Sequence, residues 1–261
     1  MKILLVNDDG IDAPGLRALA DALSAHELYV VAPSVQQSGA GHSMTIQKDL
    51  TAQKREYKGA VSAYALSGTP ADCVYVGLGY LLPVKPDVVI SGINWGDNMS
   101  SDCISSGTVG AALEGILHDI PSMAVSVTWP QNGQFRYPAE IAAKLLPYYL
   151  NDPHCAKYVF NLNVPSGDPA KICGLKVTRF DGIRVYHFDY AIEKDGDTIT
   201  FHMKPSYLNP PANKTMMHQE GTLENDVTAD KNGYITVTPV TWDMVKKDSV
   251  PDLKYLEDLP L

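Results

Sequence analysis

Residues 1–23 read MKILLVNDDGIDAPGLRALADAL. Lys2–Val6 is a short apolar run, the mark of a strand buried on both faces. It stops at Asn7-Asp8-Asp9-Gly10, a polar turn. Pro14 suits a first helical turn, and Leu16, Leu19, Ala20 and Leu23 follow at helical spacing. A second apolar run, Leu28–Ala32, is closed by Pro33 and the Gly/Ser-rich stretch Ser34–Ser43. The same grammar continues downstream. Tyr64–Leu66, Asp87–Ile90, Met123–Val127 and Val159–Val164 read as strands. Helices open at Thr69-Pro70-Ala71-Asp72, run over Ser106–His118 and sit near Ala139–Leu150, while Ser91 to Ser105 reads as a long loop. Strand and helix alternating at this pace give right-handed βαβ units. The predicted fold is α/β, a doubly wound and mostly parallel sheet over residues 1–165.

After Pro165 the pattern changes. Arg184–Lys194 and Thr198–Lys204 flank Asp195-Gly196, a strong hairpin signal. The polar stretch to Asp226 carries Pro205, Pro210 and Pro211 and reads as an arm. Gly233–Pro239 alternates like a half-buried strand, and Met244–Leu261 reads as a short helix plus tail. Residues 166–261 are thus expected to extend the core as an antiparallel appendage of one integrated domain. A lone hairpin is marginal in water, so this one is expected to pack on another subunit.

A chain of 261 residues can bury a core without staples. Lys+Arg 21 against Asp+Glu 30 leaves a net charge of −9, which argues against gripping a nucleic acid polymer. No stretch approaches the ~20 apolar residues of a membrane span, and MKILLVNDDG is no signal peptide. The expectation is a cytoplasmic globular protein. Cys73, Cys103, Cys155 and Cys173 lack CxxC or zinc spacing and read as small buried hydrophobes.

In open α/β sheets, ligands bind beyond the carboxyl ends of the strands. Polar residues collect at those ends: Asn7-Asp8-Asp9, then Ser38–Ser43, then Ser91–Asn98, then Ser105–Thr108. Adjacent carboxylates repel unless a cation lies between them. Oxygen donors alone favour a hard ion, Mg²⁺ or Mn²⁺, one per subunit, and Ser38 and Asn94 are neutral oxygens able to complete the shell. The plainer reading of Asp8 and Asp9 is a charge pair at a helix N-terminus. Ser106-Gly107-Thr108 opening a helix is an anion-site pattern, with plain N-capping by Ser106 as its alternative. His42 reads as a solvated loop histidine. There is no P-loop, and Gly77 and Gly79 do not follow a strand as a dinucleotide fingerprint does. Ile3–Asp9 looks like the start of a receiver domain, but Gly92 stands where the phosphorylated aspartate would be.

The segments ILLVNDDGIDAPGL (3–16), VVAPSVQQSGAGHS (30–43), LSGTPADCV (66–74), PDVVISGINWGDN (86–98) and SGTVGAALEG (106–115) together resemble the SurE family of nucleoside 5′-phosphatases. DVTADKNGYITVTPV (226–240) is a weaker match. The resemblance implies metal ligation by Asp8, Asp9, Ser38 and Asn94, and phosphate contacts from Asn98, Ser106, Gly107 and Thr108. It also implies a hairpin, a swapped C-terminal arm and a homodimer or homotetramer. Trp95 stands where the family often has another residue. The expected activity is metal-dependent hydrolysis of nucleoside 5′-monophosphates, with Asp8 or Asp9 orienting or deprotonating the attacking water. Activity on 3′-nucleotides, short polyphosphate or sugar phosphates stays open, and so does a nucleotide-binding sensor without turnover.

Overall fold

A computed structural model describes residues 1–128, 134–180, 189–204 and 224–244. Its centre is a nine-stranded sheet of order β3-β4-β2-β1-β5-β6-β7-β11-β8. The strands are β1 (Lys2–Val6), β2 (Glu27–Pro33), β3 (Ala52–Lys54), β4 (Ala60–Leu66), β5 (Val88–Trp95), β6 (Ser122–Thr128), β7 (Val159–Pro165), β8 (Leu175–Val177) and β11 (Ile235–Val240). From β4 to β7 all neighbours are parallel, and β3 closes one edge antiparallel to β4. The chain winds outward from β1 through β2 and β4, then restarts beside β1 at β5 and winds the other way. That reversal between β1 and β5 is the switch point at which such sheets hold ligands.

The period-two pattern of β1 explains the layers. Ile3 and Leu5 face α1 (Pro14–Ala22) and α4 (Arg136–Leu150), in a core with Leu16, Leu19 and Leu146. Leu4 and Val6 face the opposite layer with Cys73, Val74 and Ala111 from α2 (Pro70–Val76) and α3 (Gly107–Leu117). Ile3, Leu4, Leu5 and Val6 are fully buried, which stabilises the strand by roughly 1.5–3 kcal/mol per side chain. Helix α2 starts as its sequence signals: Thr69 and Asp72 form a reciprocal capping box with Pro70 in the first turn.

Several expectations shift. The strand read at Tyr64–Leu66 begins at Ala60, and β3 beside it carries no apolar signal because all three of its residues are exposed. Ser91 to Ser105 is not one loop: β5 continues to Trp95, and a 3₁₀ helix spans Ser100–Ser105. Gly92 makes the extension possible. Its φ is +138°, and a Cβ there would sit 2.3 Å from the Val125 carbonyl oxygen. Register with β6 slips between Gly92 and Asn94, a bulge that re-aims the strand's last residues.

β11 is more than a half-buried strand of an antiparallel appendage. It pairs antiparallel with β7 and parallel with β8, and all of its residues but Pro239 are buried. Its threonines suit that setting: Thr238 pairs its hydroxyl with that of Thr178 at 2.7 Å. The hairpin forms as β9 (Asp189–Asp195) and β10 (Thr198–Lys204), a separate two-stranded sheet with Asp195 opposite Thr198. The polar arm and the tail after Met244 lie outside the described residues.

Helix α5 (Asp226–Lys231) packs on β11 and β7 and aims two carboxylates at Ser100 and at Thr128, the end of β6. Asp226 accepts the Ser100 N–H at 2.7 Å, and Asp230 accepts the Thr128 hydroxyl at 2.9 Å. Burial pushes their pKa values up to about 6 and about 7, with the charge of Asp97 adding to both. Folded protein therefore holds these protons at pH values where unfolded chain has released them. Their effect favours folding at acid pH and is lost as pH rises from about 4 to 7, with a slope of up to ~1.4 kcal/mol per pH unit for each group. Asp230→Asn mimics the protonated form and keeps an acceptor for Thr128. The variant is expected to melt several degrees above the parent at pH 8 and level with it near pH 4. Thermal melts across pH check this, and a pH-independent difference would contradict it.

Candidate active site

The turn after β1 is locked by Asn7, which is fully buried. Its Nδ2 donates to the Gly10 carbonyl at 2.9 Å, and its Oδ1 accepts the Gly10 N–H at 3.2 Å. The two following carboxylates then diverge. Asp8 points to α3, where its Oδ1 accepts the Thr108 hydroxyl at 2.5 Å. Asp9 points to β5 and the loop after β2. Its Oδ2 accepts the Trp95 N–H at 3.2 Å, and its Oδ1 accepts from Gln36 Nε2 at 3.4 Å. The next helix in the chain, α1, begins only at Pro14 and has no acid in its first turn, so the helix N-terminus that the pair meets is that of α3, and only Asp8 meets it.

The electrostatics are those of an anionic pair held out of water. Burial, with the Asp9 charge adding, raises Asp8 to about 6 against the opposing Thr108 bond. Burial also raises Asp9, opposed by the Trp95 N–H and by Gln36. A cation beside them would reverse both shifts.

The neighbouring donors suit a hard cation. Gln36 Nε2 donates both to Asp9 Oδ1 and to Ser38 Oγ, at 3.4 and 3.0 Å, so positive polarity already sits between two of the expected ligands. Asn94 spends its amide nitrogen on the Gly96 carbonyl at 2.9 Å, which leaves its Oδ1 as the donor atom. Among the described residues no group of three or more His, Cys, Asp or Glu side chains is placed to hold a metal ion, here or elsewhere, so a cation at this pair would rest on two carboxylates and neutral oxygens. Two carboxylates plus neutral oxygens fit Mg²⁺ or Mn²⁺ better than zinc.

Helix α3 abuts this set. Ser106 is its N-cap, accepting the Val109 N–H at 3.1 Å. Gly107 makes the approach possible: a Cβ there would lie 2.8 Å from Asp8 Cβ and 3.0 Å from its Oδ2. The glycine thus makes room for the carboxylate of β1. Thr108, expected to donate its hydroxyl to a phosphate, is fully buried and donates it to Asp8 instead. Asn98, also expected at the phosphate, is buried: its Nδ2 donates to Ser126 Oγ at 2.8 Å, and its backbone is tied to Asn163 and Asn161 of β7.

Sequence reading missed two parts of this arrangement. Gln36 has no motif to mark it, although it stands two residues before Ser38. His42 is not merely solvated: its Nε2 lies 2.6 Å from Glu114 Oε2, and His118 lies 3.1 Å from the other oxygen of Glu114. With the Gly41 N–H donated to Ser105, this ties the Ser38 loop to α3. A helical Glu four residues before a His was the available signal.

Comparison with known proteins gives one consistent result. A family model described as "Survival protein SurE" matches residues 3–186. A protein named 5′-nucleotidase SurE from a Cyanothece species is 37% identical, covering 100% of this chain and 98% of that protein. One of the same name from Synechococcus elongatus is 38% identical over 98% of this chain and 99% of its own length. The crystal structure of the SurE protein from Aquifex aeolicus superposes with a TM-score of 0.80 at 34% identity, covering 99% of this chain and 100% of that one. With a doubly wound core, a carboxylate pair at its switch point and relatives matched end to end, this chain belongs to the SurE family.

Proposed function

We propose that this protein is a phosphoric monoester hydrolase that cleaves nucleoside 5′-monophosphates to nucleoside and phosphate with a divalent cation. The observation that carries the reading is the carboxylate pair at the sheet's switch point, with Asp8 against the N-terminus of α3 and Asp9 against β5 and the loop after β2. The names of the full-length relatives, 5′-nucleotidase SurE, supply the substrate class. Asp8, Asp9, Ser38 and Asn94 would hold the cation, Mg²⁺ or Mn²⁺. When bound, it supplies Lewis acidity toward a phosphoryl oxygen and lowers the pKa of a coordinated water.

The protein's own groups do the rest. At the start of α3 the Thr108 N–H goes to Asp8 and the Val109 N–H to Ser106 Oγ, so the Gly107 N–H and the Ser106 hydroxyl hydrogen are the donors for an anion, with the helix dipole favouring negative charge there. Asn98 has a second amide hydrogen besides the one given to Ser126. These donors balance charge on the equatorial oxygens of the transferring phosphoryl group. Asp8 is fixed by Thr108 and Asp9 by Trp95 and Gln36, so either carboxylate can orient the attacking water and accept its proton. This solves the charge problem of an acidic protein, which binds phosphate through a cation and backbone amides instead of Arg and Lys. The hairpin exposes Tyr190, Ile192, Phe201 and Met203, and a second copy covering them would give the homodimer or homotetramer. Among the described residues no helix is long and apolar enough to cross a membrane.

The test is a panel of 5′- and 3′-nucleoside monophosphates, ribose 5-phosphate and short polyphosphate, with released phosphate as the readout. The 5′-nucleotides are expected to lead by kcat/KM. Saturable nucleotide binding without release would replace hydrolysis by a sensor, and a lead for polyphosphate or the sugar phosphate would replace the substrate class.

A further inference from the structure

We propose that Trp95 is the nucleobase platform of the active site, a stacking face that sets this chain's preference for nucleotides over simpler phosphate esters. The inference rests on the phosphatase reading above and names which part of the substrate a further residue reads.

Trp95 is the last residue of β5, immediately after Asn94, and its backbone N–H holds Asp9 at 3.2 Å. The ring's attachment point is therefore fixed against a carboxylate of the site. The side chain packs edge-on against Phe135, with centroids 5.9 Å apart and planes 67° apart, which supports it on one side. Phe135 is itself 3% exposed and lies beside the start of α1. Yet Trp95 remains 47% exposed. A large aromatic supported on one side and open elsewhere, on the rim of a polar site, is a prepared surface for another flat ring.

Geometry assigns the partner. The phosphate donors lie at α3, on the Asp8 side of the β1 turn, and Trp95 lies on the Asp9 side. A nucleoside monophosphate carries its base a ribose away from its phosphate, and the ring next to Asp9 offers that base a flat apolar face. Stacking tolerates any base and favours the larger purines. The backbone contact to Asp9 does not require tryptophan, since any residue but proline at 95 offers an N–H, so the indole needs another reason.

The experiment compares wild type, Trp95→Phe and Trp95→Ala. In one assay it measures the KM of a purine nucleoside monophosphate and the inhibition constant of inorganic phosphate, which has no base. In Trp95→Ala the KM is expected to rise about tenfold relative to the phosphate inhibition constant, and Trp95→Phe should restore most of the ratio. If Trp95 only positions Asp9, KM and the phosphate inhibition constant will shift by the same factor or kcat alone will fall, and the platform is overturned. Tryptophan fluorescence supplies a second readout independent of turnover. Quenching by a nucleoside monophosphate in wild type, lost in Trp95→Phe, supports the platform even if no nucleotide is hydrolysed. Equal quenching in both proteins overturns it.

Discussion

Asp8→Asn is expected to reduce phosphate release at least ~10³-fold while the protein melts at the same temperature or higher. The two effects separate because Asp8 holds the fold and the chemistry by different means. Its side chain is 3% exposed, and burial makes its charge unfavourable without a cation. Asparagine removes that charge, keeps an oxygen for the Thr108 hydroxyl, and so does not destabilise. It also removes an anionic ligand and one of the two candidate bases. Asp9→Asn should behave alike, retaining the Trp95 N–H bond at 3.2 Å but not the charge. Rates and thermal melts on the same preparations check both variants. Activity within tenfold of wild type in either would remove that carboxylate from the site.

The second large effect is expected from a single methyl group. In Gly107→Ala the new Cβ would sit 2.8 Å from Asp8 Cβ and 3.1 Å from Pro70 Cγ. Neither neighbour yields easily, since Asp8 belongs to the turn closed by Asn7 and Pro70 to the first turn of α2. Overpacking of this kind costs about 1–3 kcal/mol. The strain would be relieved by moving α3 away from Asp8, which stretches the Thr108 bond and shifts the phosphate donors. A displacement near 1 Å costs roughly 10²-fold in rate. Denaturant unfolding and kcat/KM together test this, and a variant unchanged in both would show that α3 does not press on the carboxylate.

How much of this was legible in the sequence depended on whether a signal was local. Ile3–Val6 reads as a buried strand because no polar residue interrupts it, and Thr69-Pro70-Ala71-Asp72 carries its own cap. Asp8 and Asp9 stood out because like charges in tandem need a reason. The length of β5 was hidden, since a bulge at Gly92 depends on the Val125 carbonyl of another strand. The role of Thr108 was hidden likewise: a hydroxyl at a helix start looks the same whether it faces a ligand or a carboxylate 100 residues away. Thr236 and Thr238 looked half-exposed because their partners, β7 and β8, are distant in sequence. Buried Asp226 and half-buried Asp230 have no local sign at all. The resemblance to a family carried the substrate class, which no single residue announces.

The central claim is that the β1 carboxylates serve phosphoryl transfer through a bound cation. Its most direct test is phosphate release from a nucleoside 5′-monophosphate by protein stripped with EDTA, then reloaded with Mg²⁺ or Mn²⁺. Release that falls to background in EDTA and returns with either ion in wild type, but not in Asp8→Asn or Asp9→Asn, is the result expected. Undiminished release in excess EDTA, or restoration by metal in both variants, would contradict the account.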